Sequence, residues 1–407
     1  MRKIEKEELG QWSRRIRRML LTGVMEFWKE RTADLDYGGY VTAFDRRGNI
    51  LSREKNMWLH GRQTWMFSVL YHDIDKNPVW LELAKVGRDY MVSHGYAGNG
   101  EWNYLLDEKG RVLKGHISLY TDMFALMGLS AYAQACNTRE DEALIRVTYE
   151  KLKDRILDDC CPLAFPQTYR PGCLNHGRYM ICLNAVSWAR TVLGDTEPDQ
   201  LIRFCMEKIF SVFTDGNEII HELRTVKGEH VDSIDGHQIN PGHVFEAMWF
   251  VLREAKRMKL PEISTKALDM IEKTYQESCD HTYGGILHML DDLGRTNQYQ
   301  DWNKERNLKW DEKVWWTHSE ALCALLASAL ALDSREQWED FCQLYEWCEK
   351  HFWDPQYGEW YAVLNRDGSP RITDKGGLQK SAFHVPRALY TCVLLLEEKR
   401  REVENKS

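Results

Sequence analysis

Two kinds of predicted helix alternate along the chain, and this alternation constrains the fold most. One kind is amphipathic, with apolar residues at helical spacing on one face, and is typical of helices on the outside of a protein. It is predicted for Trp80 to Ser93, Glu142 to Leu157, Gln200 to Phe213, Glu262 to Ser278 and Gln337 to Phe352. The other kind is apolar around most of its circumference and belongs inside. It is predicted for Trp58 to Tyr71, Leu119 to Cys136, Tyr179 to Leu193, Gly242 to Lys256, Trp316 to Leu332 and Ala382 to Leu396.

A weak internal repeat marks the connections between these helices. Its clearest copies are Tyr37-Gly38-Gly39-Tyr40, Tyr283-Gly284-Gly285-Ile286 and Tyr357-Gly358-Glu359-Trp360, each followed by an Asp/Gly turn. Degenerate copies are Gly100 to Gly110 and Asp215-Gly216-Asn217-Glu218. Each copy predicts a short strand closed by a turn, which is a hairpin-like connection. The long interval between the second and third marker along the chain predicts a sixth connection around Pro162 to Pro171.

Six helix pairs in one chain predict an all-α fold, an (α/α)6 barrel with an inner and an outer ring of helices and short β-hairpin connections. No linker, low-complexity tract or block of charge marks a boundary in the sequence. We therefore expect residues 1–407 to form a single domain. The spacing of the repeat by itself leaves an open helical solenoid as an alternative.

The composition excludes several classes of protein. The formal net charge is −8, from 54 Lys and Arg against 62 Asp and Glu, which argues against a nucleic-acid partner. No apolar run approaches the roughly 18 residues that a membrane span needs. The charged N-terminal residues lack the apolar core of a secretion signal. The 11 cysteines include no CxxC pair, and we interpret them as reduced thiols of a cytoplasmic protein.

The aromatic content allows two interpretations. The chain has 16 Trp, 18 Tyr and 13 Phe, and many of the tryptophans are next to polar residues. Large rings could simply fill a helical core. They could instead form the walls of a polar pocket for a sugar, because C–H faces of sugars pack on rings while hydroxyls seek hydrogen-bond partners.

Five polar clusters each begin or precede an inner-type helix, and in an (α/α)6 barrel they would face one cavity. The clusters are WLHGRQTW (58–65), NHGR (175–178), NPGHVFEAMW (240–249), KVWWTHSEA (313–321) and KGGLQKSAFHVPR (375–387). Any single His or Glu in the first turn of a helix is more often only a cap or a partner of the helix dipole. No HExxH zinc motif, carboxylate-rich metal loop or Walker loop is present in the sequence, so we expect no metal site.

Four of these runs, WLHGRQTW, NPGHVFEAMW, KVWWTHSEA and KGGLQKSAFHVPR, resemble the signature segments of the N-acylglucosamine 2-epimerase family, whose members are (α/α)6 barrels. The resemblance extends from about Trp58 to Arg387, and the Gly-Arg-Gln-x-Trp and Phe-His-Val-Pro-Arg forms are more similar to the N-acyl-sugar branch than to the cellobiose branch. It implies an isomerase that interconverts N-acetyl-D-glucosamine and N-acetyl-D-mannosamine. It also implies that the active site contains Arg62, His176, His243, Glu246, Glu320, His384 and Arg387.

The implied reaction suits these residue types. A base must remove the C2 proton of the open-chain sugar, and a proton must return to the opposite face. With an unperturbed pKa of about 6.5, histidine can do both. We therefore predict His243 and His384 as the two bases, and Arg62 as the donor to the developing O1 oxyanion. The residues predicted to bind substrate or orient the imidazoles are Trp65, which shares a helical face with Arg62, and His176, Glu246, Glu320 and Arg387.

Several alternatives stay open at this point. Another family member would act on unmodified sugars, as an aldose–ketose isomerase such as mannose isomerase or as a cellobiose 2-epimerase. A glycoside hydrolase on the same fold would use Glu246 and Glu320 as its two carboxylates, and a binding protein would have no activity. The reaction requires no cofactor, but some family members respond to ATP as an activator. We expect a small sugar as the partner, with no nucleic acid and no membrane. A homodimer through an outer helical face is compatible with the sequence, although no residue pattern specifies it.

Overall fold

The computed structural model describes residues 4–161, 170–216, 219–296 and 309–405, most of which are helical. The α-helices are α1 (Lys6–Arg18), α2 (Glu26–Arg31), α3 (Met57–Val69), α4 (Pro78–Tyr90), α5 (Leu119–Cys136), α6 (Glu142–Leu157), α7 (His176–Leu193), α8 (Thr196–Lys208), α9 (Ile234–His237), α10 (Pro241–Met258), α11 (Pro261–Ser278), α12 (Trp315–Leu332), α13 (Arg335–His351) and α14 (His384–Glu404). The π-helical segments Met19–Met25, Leu70–Ile74, Met91–Gly95 and Ile209–Phe213 continue α1, α3, α4 and α8. The predicted helices are confirmed, and α5 and α6 have the predicted bounds.

The burial of these helices follows the predicted alternation. In α5 every residue from Leu119 to Ala133 is buried, as expected for a helix that is apolar all round. In α6 burial is confined to one face, at Ile145, Thr148, Tyr149, Leu152 and Ile156. The helices α3, α7, α10 and α12 resemble α5 in their burial, whereas α4, α8, α11 and α13 resemble α6. The prediction of inner and outer helices is therefore confirmed at the level of single residues.

The chain divides into two compact units. Unit 1 consists of Met1–Phe27, Gln238–Lys375 and His384–Ser407, and unit 2 consists of Trp28–His237 and Gly376–Phe383. In unit 1 the inner helices α10, α12 and α14 pack side by side, and α11, α13 and α1 cover them. In unit 2 the inner helices α3, α5 and α7 pack side by side, and α4, α6 and α8 cover them. Each unit thus contains three pairs of inner and outer helices, and the single domain over residues 1–407 stays a prediction.

The connections between helices contain short antiparallel strands. The strands are β1 (Ala43–Phe44), β2 (Ile50–Ser52), β3 (Lys55–Asn56), β4 (Tyr96–Gly98), β5 (Glu101–Trp102), β6 (Leu105–Leu106), β7 (Val112–Lys114), β8 (Cys173–Asn175), β9 (Leu223–Thr225), β10 (Gln238–Ile239), β11 (Leu290–Asp291), β12 (Lys313–Val314), β13 (Val363–Leu364) and β14 (Pro370–Ile372). They pair as β1-β2, β3-β6-β7, β4-β5, β8-β9, β10-β11 and β12-β13-β14. Several strands end immediately before an inner helix, as β12 does before α12. The predicted hairpins are confirmed by β1-β2 at the Tyr37 copy, by β4-β5 and β6-β7 around Gly100 to Gly110, and by β13-β14 at the Tyr357 copy. The prediction is wrong for the Tyr283 copy, because its described strand β11 pairs with β10.

The turns of the internal repeat explain its glycines. Gly38 and Gly39 have φ values of +77° and +66°, and Gly284 and Gly285 have φ values of +75° and +70°. Such left-handed conformations favour glycine because a Cβ atom is strained there. At Gly39 a Cβ atom would also lie only 2.7 Å from the ring of Tyr90. The repeat is therefore a sequence of tight turns before the inner helices.

Two features of the sequence prediction need correction. The N-terminal helix α1 with its π-helical continuation was not predicted, because two of its four buried residues, Gly10 and Ser13, add no apolar side chain to the buried face. Helix α7 begins at His176, three residues before the predicted start at Tyr179, because the Asn175 side chain caps it by accepting from the N–H of Gly177. Of the predicted connection at Pro162 to Pro171, residues 162–169 lie outside the described residues, as do Asn217 and Glu218. Among the described helices, none is both long enough and apolar enough to cross a membrane.

Candidate active site

The predicted site residues are distributed over both units. Unit 1 contains the residues of α10, α12 and α14, which are His243, Glu246, Glu320, His384 and Arg387. Unit 2 contains those of α3 and α7, which are Arg62, Trp65 and His176. Each of these residues lies within the first nine residues of an inner helix, which is where the sequence clusters place them, and their roles in the site stay a prediction.

The first turn of α14 presents His384 to a carboxylate on α12. His384 Nδ1 lies 2.8 Å from Glu320 Oε1, and both side chains are buried. Since a carboxylate accepts hydrogen bonds, Nδ1 carries the hydrogen and donates it. In the neutral ring Nε2 then has the lone pair, which is the protonation state that a general base needs. The contact joins residues that are 64 positions apart in the sequence.

Arg387 follows His384 on the same face of α14 and joins it to α10. Its Nη2 donates to Glu320 Oε1 over 2.7 Å and also to Glu246 Oε1. The indole Nε1 of Trp249 donates to the second oxygen of Glu320 over 2.9 Å. Burial disfavours the charged guanidinium, but the attraction of Glu320 and Glu246 outweighs burial and raises the pKa of Arg387. The structure therefore brings four predicted residues together in one buried, hydrogen-bonded network.

His243 is close to this network through a tryptophan. Its ring centroid lies 5.0 Å from that of Trp316, and the ring of His384 lies 5.8 Å from the same indole. His288 contacts this indole as well, at 6.3 Å and a right angle. A Cβ atom at Gly242 would lie 2.4 Å from the indole, so only glycine permits this approach of α10 to α12. One half-buried indole thus contacts three imidazoles, two of which are the predicted bases.

The same network resembles a metal-ligand set in composition but is already occupied by a cation. Atoms of Glu246, Glu320 and His384 that could ligate a metal lie within 4.8 Å of one another. However, Arg387 donates to one oxygen of each carboxylate. A metal ion would have to displace a guanidinium that both carboxylates bind, so these residues fit a metal poorly.

In unit 2, Arg62 is buried among aromatic rings. Its guanidinium carbon lies 4.8 Å from the ring centroid of Trp58, 4.2 Å from that of Phe124 and 4.6 Å from that of Phe383. Rings at these distances attract a cation through their π faces. Trp65, three residues after Arg62, contacts Phe383 at 5.6 Å. The structure therefore brings Arg62 and Trp65 together in one aromatic cage.

The cage depends on a close approach of α3 and α5. A Cβ atom at Gly61 would lie 2.3 Å from the carbonyl oxygen of Phe124, and one at Gly128 would lie 2.6 Å from the carbonyl oxygen of Gly61. Only glycines allow these helices to approach so closely. Because Gly61 directly precedes Arg62, the same contact places Arg62 beside Phe124.

His176 has a different environment from the other predicted residues. It is the first residue of α7 and is fully buried, and its ring contacts Phe213 at a centroid distance of 5.7 Å. Its backbone N–H donates to Glu222 O over 3.0 Å. The role of His176 in sugar binding stays a prediction.

Several residues of the candidate site were not predicted. They are one histidine, His288, and five tryptophan or phenylalanine residues, Trp58, Phe124, Trp249, Trp316 and Phe383. Four of these lie inside the polar clusters of the sequence, and for the tryptophans among them a pocket wall was one of the two interpretations of the aromatic content. His288 lies between the turn of a repeat copy and β11, and nothing in the sequence pattern distinguishes it from a surface histidine.

Comparisons with known proteins show which proteins this chain resembles. A model of the family described as N-acylglucosamine 2-epimerase (GlcNAc 2-epimerase) matches residues 38–388. The N-acylglucosamine 2-epimerase of Bos taurus is 28% identical over 96% of this chain and 93% of that protein. The cellobiose 2-epimerase of Dictyoglomus turgidum is 24% identical over 89% of this chain and 92% of that protein. The solved structure of the cellobiose 2-epimerase from Spirochaeta thermophila has a TM-score of 0.82 and 18% identity, with 96% of this chain and 98% of that chain covered. That likeness shows the fold and confirms the predicted (α/α)6 barrel.

Proposed function

The chain belongs to the N-acylglucosamine 2-epimerase family of carbohydrate isomerases, and from this membership we propose that it interconverts N-acetyl-D-glucosamine and N-acetyl-D-mannosamine. The epimerases of N-acyl sugars support this choice of substrate, because the Bos taurus enzyme is more similar to this chain than the Dictyoglomus turgidum cellobiose 2-epimerase. The observation that carries the proposed chemistry is the bond from His384 Nδ1 to Glu320, which leaves Nε2 of the neutral ring as the base.

The proposed reaction begins with the open-chain aldehyde of the sugar. One imidazole removes the C2 proton, the electrons of the C–H bond move into the C1–C2 bond, and the O1 oxygen becomes negatively charged. The other imidazole, which is protonated, then returns a proton to the opposite face of C2. His243 and His384 suit these roles because both contact the same indole. After each turnover the two imidazoles have exchanged protonation states and recover them through solvent.

Other residues of the candidate site support this proton transfer. Glu320 stabilises the imidazolium form of His384 and fixes its tautomer, while Arg387 and Trp249 hold Glu320 in place. For Arg62 we keep the role predicted from the sequence, which is to donate to O1 as its charge develops. A guanidinium is a planar, directional donor, and three aromatic rings hold this one in place. Such a donor is typically worth a factor of about 100 to 1,000 in rate.

Proton NMR in deuterated water tests this function directly. N-acetyl-D-mannosamine is incubated with the purified protein, first without nucleotide and then with ATP. We expect N-acetyl-D-glucosamine to form with deuterium at C2, and the second incubation tests whether ATP activates this protein as it does some family members. Mannose, glucose and cellobiose in the same assay test the alternatives, since an aldose–ketose isomerase needs a free hydroxyl at C2. Conversion of mannose to fructose without conversion of N-acetyl-D-mannosamine would contradict the proposed function and show an aldose–ketose isomerase instead.

Single-base variants test the assignment of the two histidines. His243→Ala and His384→Ala each leave one base, which can still remove a proton from one face of C2. We expect net epimerisation to fall by at least about 1,000-fold, while each variant exchanges the C2 proton for deuterium in only one of the two epimers, and in opposite ones. His288→Ala is the matched control, because His288 contacts the same indole but has no proposed role in proton transfer. Exchange in both epimers by either base variant would contradict the two-base scheme.

We further propose a cytoplasmic location and a homodimer, both carried over from the sequence. The location is supported by the cysteines, since all 11 of them lie in the described part of the chain and none is in a disulfide there. Sedimentation of the purified protein tests the homodimer.

A further inference from the structure

Three inner helices each make the same kind of hydrogen bond with the connection that precedes them. In each case a backbone N–H just after a turn donates to the side chain of the fourth residue of the helix. Tyr40 N donates to His60 Nε2 over 2.9 Å, Ile286 N to His318 Nε2 over 2.9 Å, and Trp102 N to Asp122 Oδ1 over 3.0 Å. These acceptors are the fourth residues of α3, α12 and α5. We call this hydrogen bond the turn clamp.

The two histidines of the turn clamp use both ring nitrogens for backbone groups. His318 Nδ1 lies 2.9 Å from Val314 O, and His60 Nδ1 lies 2.9 Å from Asn56 O. A carbonyl only accepts, so Nδ1 carries the hydrogen and Nε2 accepts the N–H of the turn. Burial lowers the pKa of each ring to about 3, so both are neutral at cellular pH. Neither ring can serve as a base without losing its backbone bond.

A buried ion pair links the same segments as the turn clamp. Lys313, two residues before α12, binds Asp280 over 3.0 Å, and Lys55, two residues before α3, binds Asp34 over 2.5 Å. Each aspartate begins a repeat turn, and its backbone bonds to that turn on both sides, as Asp280 does with Gly284 and Gly285. The turn is therefore held to the start of the helix by a neutral bond and an ionic one.

Another copy of the repeat shows that this N–H needs a partner. Glu359 replaces the second glycine of the turn at φ +57°, and its own Oε1 accepts the N–H of Trp360 over 2.8 Å. Lys375 pairs with Asp354 over 3.1 Å, as the equivalent lysines do in the other copies. A buried N–H without a partner is costly, so an acceptor comes from the turn here and from the helix elsewhere.

The residue two positions after each histidine clamp is a predicted site residue. These residues are Arg62 after His60 and Glu320 after His318. Positions i and i+2 of an α-helix differ by about 200°, so they point to nearly opposite sides. A bond that fixes the clamp residue on one side of the helix also fixes the rotation and depth of the site residue on the other side.

From these observations we propose that His318 is a positioning residue for the reaction. It fixes the rotation and axial position of α12 so that Glu320 binds His384, and His60 does the same on α3 for Arg62. The proposal rests on the proposed function for its effect on turnover. The structural part, the placement of Glu320, is measured without turnover. His318 touches no proposed reacting group and acts only through α12.

Two substitutions of His318 separate the turn clamp from the packing of the ring. In His318→Gln the amide oxygen can reach the position of Nε2 and accept the N–H of Ile286. In His318→Asn the shorter amide can still donate to Val314 O but cannot reach the turn. We expect His318→Asn to lower kcat about tenfold with little change in KM, to accelerate amide exchange at Ile286 about tenfold, and to shift the NMR signal of the His384 Nδ1–H. In His318→Gln we expect kcat, the amide exchange at Ile286 and the His384 signal to be close to those of the wild type.

Trp347→Phe is the matched control. Trp347 stacks on the ring of His318 at 5.2 Å and donates to Tyr283 O, so its replacement disturbs packing on the same side of α12 and leaves the clamp intact. We expect this control to melt at a lower temperature with kcat and the His384 signal unchanged.

The outcomes distinguish this proposal from the proposed function. If the wild-type protein epimerises no sugar, the proposed function fails, and the Ile286 exchange and the His384 signal still decide the turn clamp. If His318→Asn keeps the wild-type His384 signal while Ile286 exchanges faster, the clamp is only structural and the proposal is overturned. The same conclusion follows if Trp347→Phe and His318→Asn lower kcat equally.

Discussion

Arg387 in unit 1 and Arg62 in unit 2 are both buried guanidinium groups, but their surroundings differ in kind. Arg387 donates to two carboxylates, those of Glu246 and Glu320. Arg62 lies 4.2 to 4.8 Å from three aromatic ring centroids. Both arginines come from the start of an inner helix, so the difference arises from the residues that neighbouring helices present to them.

The difference shows what each charge can do. Carboxylates neutralise Arg387 and fix it in a network, so its charge serves to hold Glu320 beside His384. Aromatic faces stabilise Arg62 by induction and by their quadrupole but add no opposite charge. Under the proposed function, Arg62 donates to the oxyanion of the substrate, whereas Arg387 acts on the acidic residues of its own unit.

The largest effect is expected for stability when Arg387 is removed. Arg387→Met keeps most of the side-chain volume but leaves two buried carboxylates without their cation. Breaking a buried pair in this way costs about 3–5 kcal/mol. We expect a decrease of that size in the free energy of unfolding, measured by urea denaturation at pH 7. Arg387→Lys is the control, since it keeps a charge but not the planar group, and should lose about half as much. A loss below about 1 kcal/mol in Arg387→Met would mean that the ion pairs contribute little.

Removal of Arg62 should have the opposite profile. In Arg62→Met a flexible apolar side chain replaces the cation and packs well among rings. We expect the free energy of unfolding to change by no more than about 1 kcal/mol and kcat/KM for N-acetyl-D-mannosamine to fall about 100-fold, as for loss of an oxyanion donor. Arg62→Lys tests geometry, because it keeps the charge without the planar guanidinium. Its activity should lie between that of the wild type and that of Arg62→Met. A stable variant with nearly full activity would remove Arg62 from the mechanism.

The inner and outer helices were predictable because their signal is local. The spacing of apolar residues over 16 to 18 positions predicted the first and last residues of α5 and α6 correctly. The Asp/Gly turns indicated hairpins. Helix α1 escaped prediction because two of its four buried residues, Gly10 and Ser13, are not apolar side chains, so its buried face gives a weak apolar pattern. Its role as a cover for α14 depends on a contact between the two ends of the chain, which no local window contains.

The sequence predicts the candidate site as a list of residues, whose roles stay a prediction, and it does not predict their contacts. Glu320, His384 and Arg387 were identified by their places at helix starts and by the family resemblance, yet their partners are 64 to 141 positions away in the sequence. His318 and Glu320 are two residues apart in one predicted cluster. Only the structure shows that His318 binds the backbone of a turn while Glu320 binds His384, because the direction of a side chain on an inner helix is set by the neighbouring helices.

A smaller effect is expected in the pH dependence of stability. Burial lowers the pKa of His60 and His318 to about 3 in the folded chain, against about 6.5 for an unfolded one. The unfolded state therefore binds protons that the folded state does not. The stabilisation is complete above pH 6.5 and is lost as the pH falls from 6.5 toward 3. Between pH 7 and pH 5 each histidine should lower the free energy of unfolding by about 2 kcal/mol.

Denaturation of the wild type and of His318→Gln at pH 7, 6 and 5 isolates this contribution. Glutamine does not titrate, so the variant should lose about 2 kcal/mol less than the wild type between pH 7 and pH 5. The paired carboxylates, such as Asp280 with its lowered pKa, do not interfere, since their contribution is lost only below the unfolded value near 4. His60→Gln should reproduce the result in unit 2, because its ring makes the same two backbone bonds. Equal pH dependence in wild type and variants would mean that these histidines can leave their backbone partners and become protonated in the folded state, and the turn clamp would then be too weak to position Glu320 or Arg62.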